Sequence, residues 1–153
     1  MQINLIAVGN LKEKYLKDAC AEYQKRLQAY AKLNLFEVEE ENKGSVTTRK
    51  QKEGEKIIKK ISNDTFVIVL SIDGKSLSSE QFAEKINHLG TYGNSHLTFI
   101  IGGSDGLSSE VIQKANLQLS FSKMTFPHQL MRVFLLEQIY RGFKIIRGES
   151  YHK

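Results

Sequence analysis

A glycine-rich run in the second half of the chain has the residue types and spacing of a nucleophilic site. Gly102–Gly106, with the sequence GGSDG, follows the apolar run Leu97–Ile101 and matches the G-x-S-x-G pattern of serine hydrolases. Acids and then histidines follow Ser104, so the order serine, acid, histidine exists, although 153 residues are few for such a hydrolase. The same glycines could instead let backbone approach a ligand, or form a tight turn without one.

Two polar segments further along contain the other residues suited to chemistry. Ser122–His128 joins a short predicted strand to a long predicted helix, and Pro127 suits the first turn of that helix. Arg147–Lys153 combines tyrosine, histidine and lysine. Such a tail either frays or orders over a ligand, where its aromatic side chain can stack on a base.

Several common nucleotide and metal patterns are missing from the sequence. No Walker lysine follows the glycines and no G-x-G-x-x-G follows the first strand, which argues against P-loop and NAD-type sites. The one cysteine, Cys20, and four scattered histidines give no zinc-binding spacing, so we expect no metal. A single cysteine also excludes an intrachain disulfide and favours a reducing compartment.

Positive charge is concentrated near the C-terminus. The chain carries a net charge of +5, and the segment from Lys123 to Lys153 contributes +4 of it, with six basic and two acidic residues. Such a segment is either a solvated helix face or a surface for RNA or DNA. Its arginines Arg132, Arg141 and Arg147 are the candidate RNA contacts.

The elements that must position these residues follow from hydrophobic periodicity. Strands are predicted at Ile3–Val8, Asn34–Val38, Phe66–Ile72, Leu97–Ile101 and Leu117–Phe121, with helices between them. This alternation predicts one α/β domain over residues 1–153, with a mostly parallel sheet and helices on both faces. Asp73-Gly74 is expected to turn the chain. Ligands lie beyond the carboxyl ends of parallel strands, so the loops after Leu70, Ile101 and Phe121 are the candidate site.

The last predicted helix, His128–Ile146, is apolar over most of its circumference. A helix of this kind is buried in the fold or packed against another subunit, and in so small a chain we favour a second subunit.

No apolar run is long enough for a membrane span. The N-terminal segment is predicted to be a strand and lacks the basic region of a signal peptide. The expected location is the cytoplasm.

Four motifs in order resemble the RlmH family of SPOUT-class methyltransferases, which act on a pseudouridine N3 of large-subunit ribosomal RNA. They are Ile101–Leu107, Leu119–His128, Glu137–Phe143 and the terminal Tyr151-His152-Lys153. The segments Ile6–Lys12 and Leu70–Lys75 fit as well, so the resemblance covers nearly the whole chain. Lys153 stands where many relatives have arginine. Lysine keeps the positive charge but cannot form the bidentate hydrogen bonds of a guanidinium group.

The resemblance implies a fold, a cofactor and a substrate. The α/β sheet would carry a deep C-terminal trefoil knot, a rare exception to the rule that chains are unknotted. S-adenosylmethionine would bind bent within the knot, and a homodimer would build each site from both subunits. The substrate would be a pseudouridine in helix 69 of 23S rRNA within the assembled 70S ribosome.

The resemblance also assigns roles to individual residues of this chain. The cofactor would be held by residues of the three strand-end loops: Leu70, Gly102, Gly103, Phe121, Ser122, Lys123, Met124, Thr125 and Phe126. The tail would close over the site, with His152 as candidate base for the N3 proton and Tyr151 stacking on the base. Lys153 or an arginine could instead stabilise the imide anion. Two other functions stay open: a non-catalytic RNA-binding or ribosome-assembly protein on the same fold, and a small serine hydrolase.

Overall fold

Strands and helices alternate along residues 1–153, all of which the computed structural model describes. In chain order the elements are β1 (Gln2–Val8), α1 (Lys14–Leu27), β2 (Lys32–Val38), α2 (Val46–Lys60), β3 (Phe66–Ser76), α3 (Ser79–Thr91), β4 (His96–Ile101), α4 (Ser109–Lys114), β5 (Leu117–Ser120) and α5 (His128–Ile146). Serine side chains cap three helices at their N-termini, and Ser78 forms a full capping box with Gln81.

The five strands form one sheet in the order β2-β1-β4-β3-β5, and every neighbouring pair is parallel. The expected α/β class is therefore confirmed. All carboxyl ends meet at one edge of the sheet, which brings the loops after β3, β4 and β5 side by side. This edge is where a parallel sheet offers a ligand site.

Both faces of the sheet are covered by helices, so adjacent residues of a strand are buried on opposite sides of the sheet. Ile3 and Leu5 belong to a core cluster shared with α1, α3 and α5, whereas Ile6 and Val8 belong to a second cluster shared with α2 and α4. This two-sided burial explains why the strands read as continuous apolar runs. Helix α5 packs against both α1 and α3, so the last element of the chain lies across the larger core.

The chain does not turn away at Asp73-Gly74, so that prediction is wrong. Strand β3 continues to Ser76, and both Leu70 and Lys75 pair with Leu119 of β5. Residues 71–74 therefore form an irregular excursion within the strand. A glycine is needed there, since a Cβ on Gly74 would lie 2.7 Å from the Gln118 carbonyl carbon.

Candidate active site

A cavity of about 690 Å³ opens at the carboxyl edge of the sheet. Its walls are residues 70–73 after the regular part of β3, the turn after β4, the segment from β5 to the start of α5, and Met131. The volume falls within the range of small-molecule sites, about 300–1,000 Å³. The three loops expected from strand topology thus build a single pocket.

Eight of the nine predicted cofactor residues line this cavity, and the exception is Lys123. Lys123 is exposed and lies between Ser122 and Met124, which do reach the cavity. Met124 is one of the few large apolar side chains left exposed, at 73%. Within the loop after β5, Lys123 therefore faces solvent, whereas the residues on both sides of it line the cavity.

The glycines after β4 are tightly packed against the protein itself. A Cβ on Gly102 would lie 3.0 Å from the Gly106 carbonyl carbon and from Leu107 Cγ. A Cβ on Gly103 would lie 3.0 Å from Val8 Cγ1. Close approach to a ligand, the reason expected from the sequence, is thus not the first steric demand on these two residues, although both line the cavity.

Ser104 lacks the partners of a catalytic nucleophile. Its hydroxyl donates to Glu40 Oε1 at 3.0 Å, and no histidine is hydrogen-bonded to it. His152 is instead bonded to Arg141 and Glu80. The structure therefore contains no serine–histidine–acid triad at Ser104, which argues against the serine hydrolase hypothesis.

Two titratable residues that line the cavity, Asp73 and His128, were not among the predicted site residues. Asp73 reaches it because the irregular excursion of β3 replaces the expected turn. His128 is the first residue of α5 and lies near Gly9, where an added Cβ would be 3.6 Å from His128 Nε2. The proline that precedes His128 marked the start of the helix, but only the fold shows that this start faces the pocket.

The C-terminal tail is docked on its own chain rather than frayed. The Tyr151 hydroxyl donates to Glu137 Oε2 at 2.6 Å, and its ring meets that of Tyr140 edge-on at 4.9 Å. The Arg141 guanidinium lies 4.7 Å from the centre of the Tyr151 ring. Burial, followed by the Glu137 carboxylate, raises the pKa of Tyr151, so the hydroxyl stays protonated.

Both ring nitrogens of His152 are engaged. Arg141 Nη1 lies 3.1 Å from Nδ1, and because a guanidinium only donates, Nδ1 must accept. The ring proton then belongs to Nε2, which donates to Glu80 Oε1 at 2.7 Å. The same hydrogen bond holds the pKa of Glu80 below its usual value.

The tail does not reach the cavity of its own chain. None of Tyr151, His152 and Lys153 lines it, and Lys153 is exposed. A smaller cavity of about 390 Å³ lies between the two features. It shares Phe121 and Phe126 with the larger cavity and is bounded on the tail side by Glu137.

The three candidate RNA-binding arginines lie in very different environments. Arg132 is buried, with Nη1 2.7 Å from Glu37 Oε2 and Nη2 3.1 Å from the Gly9 carbonyl oxygen. It is thus not available at the surface of this chain, and the expectation for it is corrected. Arg141 is half-buried between Glu137 and His152, and only Arg147 is exposed.

Two other features bear on the class of protein. No group of three or more histidine, cysteine or acidic side chains is arranged to hold a metal ion. None of the helices combines the length and the apolar character needed to cross a membrane.

An entirely parallel sheet with a ligand-sized cavity at its carboxyl edge is the arrangement in which α/β proteins bind small-molecule ligands. Residues 1–152 match the family described as "Predicted SPOUT methyltransferase", and the chain belongs to this SPOUT methyltransferase family. Membership implies the C-terminal trefoil knot that the resemblance predicted.

Curated relatives match over their whole length. The chain is 58% identical to "Ribosomal RNA large subunit methyltransferase H" of Bifidobacterium adolescentis and 56% identical to the protein of the same name from Bacillus cytotoxicus, with 100% of each chain covered. A solved structure described as a probable methylase family protein from Haemophilus influenzae matches with a TM-score of 0.53 at 15% identity. That match covers 95% of this chain and 66% of the other, and at this identity it supports the fold alone.

Proposed function

We propose that this protein transfers a methyl group from S-adenosylmethionine to large-subunit ribosomal RNA. The site of modification would be N3 of a pseudouridine in helix 69 of 23S rRNA, within the assembled 70S ribosome in the cytoplasm. The observation that carries the proposal is the cavity built by the loops after β3, β4 and β5, in a chain of the SPOUT methyltransferase family. Two full-length relatives above 55% identity are named as ribosomal RNA methyltransferases, which supports the choice of substrate.

The residues that line the cavity fit S-adenosylmethionine. Leu70, Phe121 and Phe126 offer apolar surface for an adenine ring, and backbone groups near Phe121 and Met124 would hold its polar edge. The carboxylate of Asp73 suits hydroxyl or ammonium groups of the cofactor. When bound, the cofactor supplies an electrophilic methyl group on a positively charged sulfur.

The protein's own contribution is to position the two reactants and to accept the proton that the imide nitrogen loses. The imide nitrogen would lose its proton as its bond to the methyl carbon forms and the methyl–sulfur bond breaks, which leaves a neutral thioether as the product. Positioning alone can supply much of the rate. His152 is the candidate acceptor through Nδ1, the nitrogen without a proton. Arg141 occupies Nδ1 here, so this role requires His152 to exchange that contact for the substrate. Lys153 or Arg141 would otherwise stabilise the imide anion.

A homodimer would bring the tail to a cavity. Leu130, Val133 and Phe134 on the first half of α5 remain only half-buried in one chain, although all are large and apolar. Phe134 also lines the smaller cavity beside Phe126. Packing a second copy over this face would remove apolar surface from water and place the partner's tail near the cofactor cavity. Sedimentation at micromolar concentration tests this, and a monomer would contradict the shared site.

Mass spectrometry of helix 69 from cells that lack this protein tests the proposed substrate. We expect loss of one methyl group from a pseudouridine there and its return when the gene is restored. Unchanged modification would overturn the proposal. Calorimetry with S-adenosylmethionine separates an enzyme from a non-catalytic RNA-binding protein on the same fold, which would not bind the cofactor.

A further inference from the structure

The turn after β4 presents two different sides to its surroundings. Within Gly102–Gly106, every residue except Asp105 lines the large cavity. The Asp105 carboxylate points instead to Arg49 of α2, with Arg49 Nε 2.9 Å from Oδ2 and Nη2 3.3 Å from Oδ1. This is the two-pronged geometry that makes arginine–carboxylate pairs strong and directional.

Arg49 also fixes the loop on its other side. Its Nη1 donates to the Gly44 carbonyl oxygen at 2.7 Å, in the loop that joins β2 to α2. A second link runs from the turn to the same loop, because the Ser104 hydroxyl donates to Glu40 Oε1. The guanidinium thus ties the turn, the β2–α2 loop and helix α2 into one unit.

Within this unit, helix α2 is held in place by close packing against the start of α4. Its backbone packs directly on the residue that caps α4, since a Cβ on Gly54 would lie 2.4 Å from Ser108 Oγ. The turn itself has little internal support, with one backbone hydrogen bond from Gly106 N to the Gly103 carbonyl oxygen at 3.0 Å. Its position therefore depends on outside contacts, of which the Arg49–Asp105 pair is the only ion pair.

We infer that Arg49 is a positioning residue for cofactor binding, which it serves by fixing the Gly102–Gly106 turn through Asp105. The inference rests on the proposed function, because it takes S-adenosylmethionine as the ligand of the cavity. Arg49 does not line the cavity, so its effect passes entirely through the turn. The pair is partly buried, with side chains 23% and 22% exposed, but neither residue belongs to the two core clusters, so its loss should leave the core intact.

The experiment is a double-mutant cycle on cofactor binding. Arg49→Ala, Asp105→Ala and the double variant are titrated with S-adenosylmethionine by calorimetry, and the thermal midpoint of each free protein is measured. We expect each single variant to bind about tenfold more weakly, and the double variant no worse than either single one, since coupled residues are not additive. Arg49→Lys should recover part of the affinity, because it keeps the charge without the fork.

Arg26→Ala is the matched control. Arg26 forms an ion pair of similar length with Glu22, but it lies at the end of α1 that faces away from the cavity edge. The Arg26→Ala protein should bind S-adenosylmethionine with the affinity of the wild type. Additive losses in the cycle, or unchanged affinity in Arg49→Ala and Asp105→Ala, would overturn the inference. If Arg49→Ala does not fold, Arg49→Lys and Asp105→Asn decide by the same criterion. Failure of the wild type to bind the cofactor would instead contradict the proposed function.

Discussion

Replacing Arg132 and Arg147 in turn tests which of these two arginines has a structural role and which is available to contact RNA. Arg132 sits on the sheet-facing side of α5, and its side chain is 4% exposed. Arg147, just beyond the same helix, is exposed and lies over the Tyr30 ring at 4.6 Å. We expect Arg132→Met to lower stability and Arg147→Met to weaken RNA binding.

The magnitude for Arg132 follows from its two hydrogen bonds, to Glu37 and to the Gly9 carbonyl oxygen. Hydrogen bonds from a charged donor contribute about 1.5–3 kcal/mol each. Glu37 is 43% exposed, so water can solvate its carboxylate once the arginine is gone, which lowers the total cost. We expect a loss of about 2–4 kcal/mol, somewhat below the roughly 3–5 kcal/mol cost of breaking a fully buried pair. For a chain of this size that corresponds to about 5–15 °C in Tm.

Urea unfolding at a fixed protein concentration measures the loss, and binding to a ribosomal RNA fragment at several salt concentrations provides the second measurement. Arg147→Met should cost less than about 1 kcal/mol and reduce the salt dependence of RNA binding by about one phosphate contact. Arg132→Met, below its unfolding temperature, should keep the wild-type salt dependence. A stable Arg132→Met protein with reduced salt dependence would refute the assignment of Arg132 to the interior.

Three further changes test other parts of the account. Gly74→Ala should cost about 1–3 kcal/mol by overpacking against β5 and should weaken cofactor binding, and a variant with wild-type urea midpoint and affinity would contradict the close strand contact. Deleting residues 151–153 should lower the thermal midpoint, because Tyr151 is anchored on Glu137, whereas a frayed tail would leave it unchanged. Burial raises the pKa of Glu53, so the folded state holds its proton more tightly and wild-type stability falls as pH rises above the unfolded-state pKa of about 4.3. Glu53→Gln should therefore exceed the wild type in stability at pH 8 and lose this advantage toward pH 4, and equal urea midpoints at pH 8 would argue against a buried carboxylate.

Most of the fold could be predicted because its signals are local. Strands such as β1 and β4 are buried on both faces and read as continuous apolar runs, and serines mark three helix starts. The extension of β3 could not be predicted, since Asp73-Gly74 has the composition of a turn. Its actual conformation depends on Gln118 of a strand more than 40 residues later in the sequence.

The cavity could be located because the rule for parallel sheets depends only on strand order. Individual side chains were harder to place, since charge in the sequence does not reveal burial. In the sequence, Arg132 and Arg147 looked alike as basic residues of the C-terminal segment, yet the fold pairs Arg132 with Glu37 from β2. The anchoring of the tail depends on Glu80 and Glu137, from two helices whose contact the sequence does not indicate.

The central claim is tested most directly by methyl transfer in a purified system. Ribosomes from cells that lack this protein are incubated with the purified chain and S-adenosylmethionine labelled on its methyl group, and the labelled nucleotide is located by mass spectrometry. The account predicts one label per large subunit, on N3 of a pseudouridine in helix 69. No transfer to 23S rRNA by protein that binds the cofactor, or a label at a different nucleotide, would contradict it.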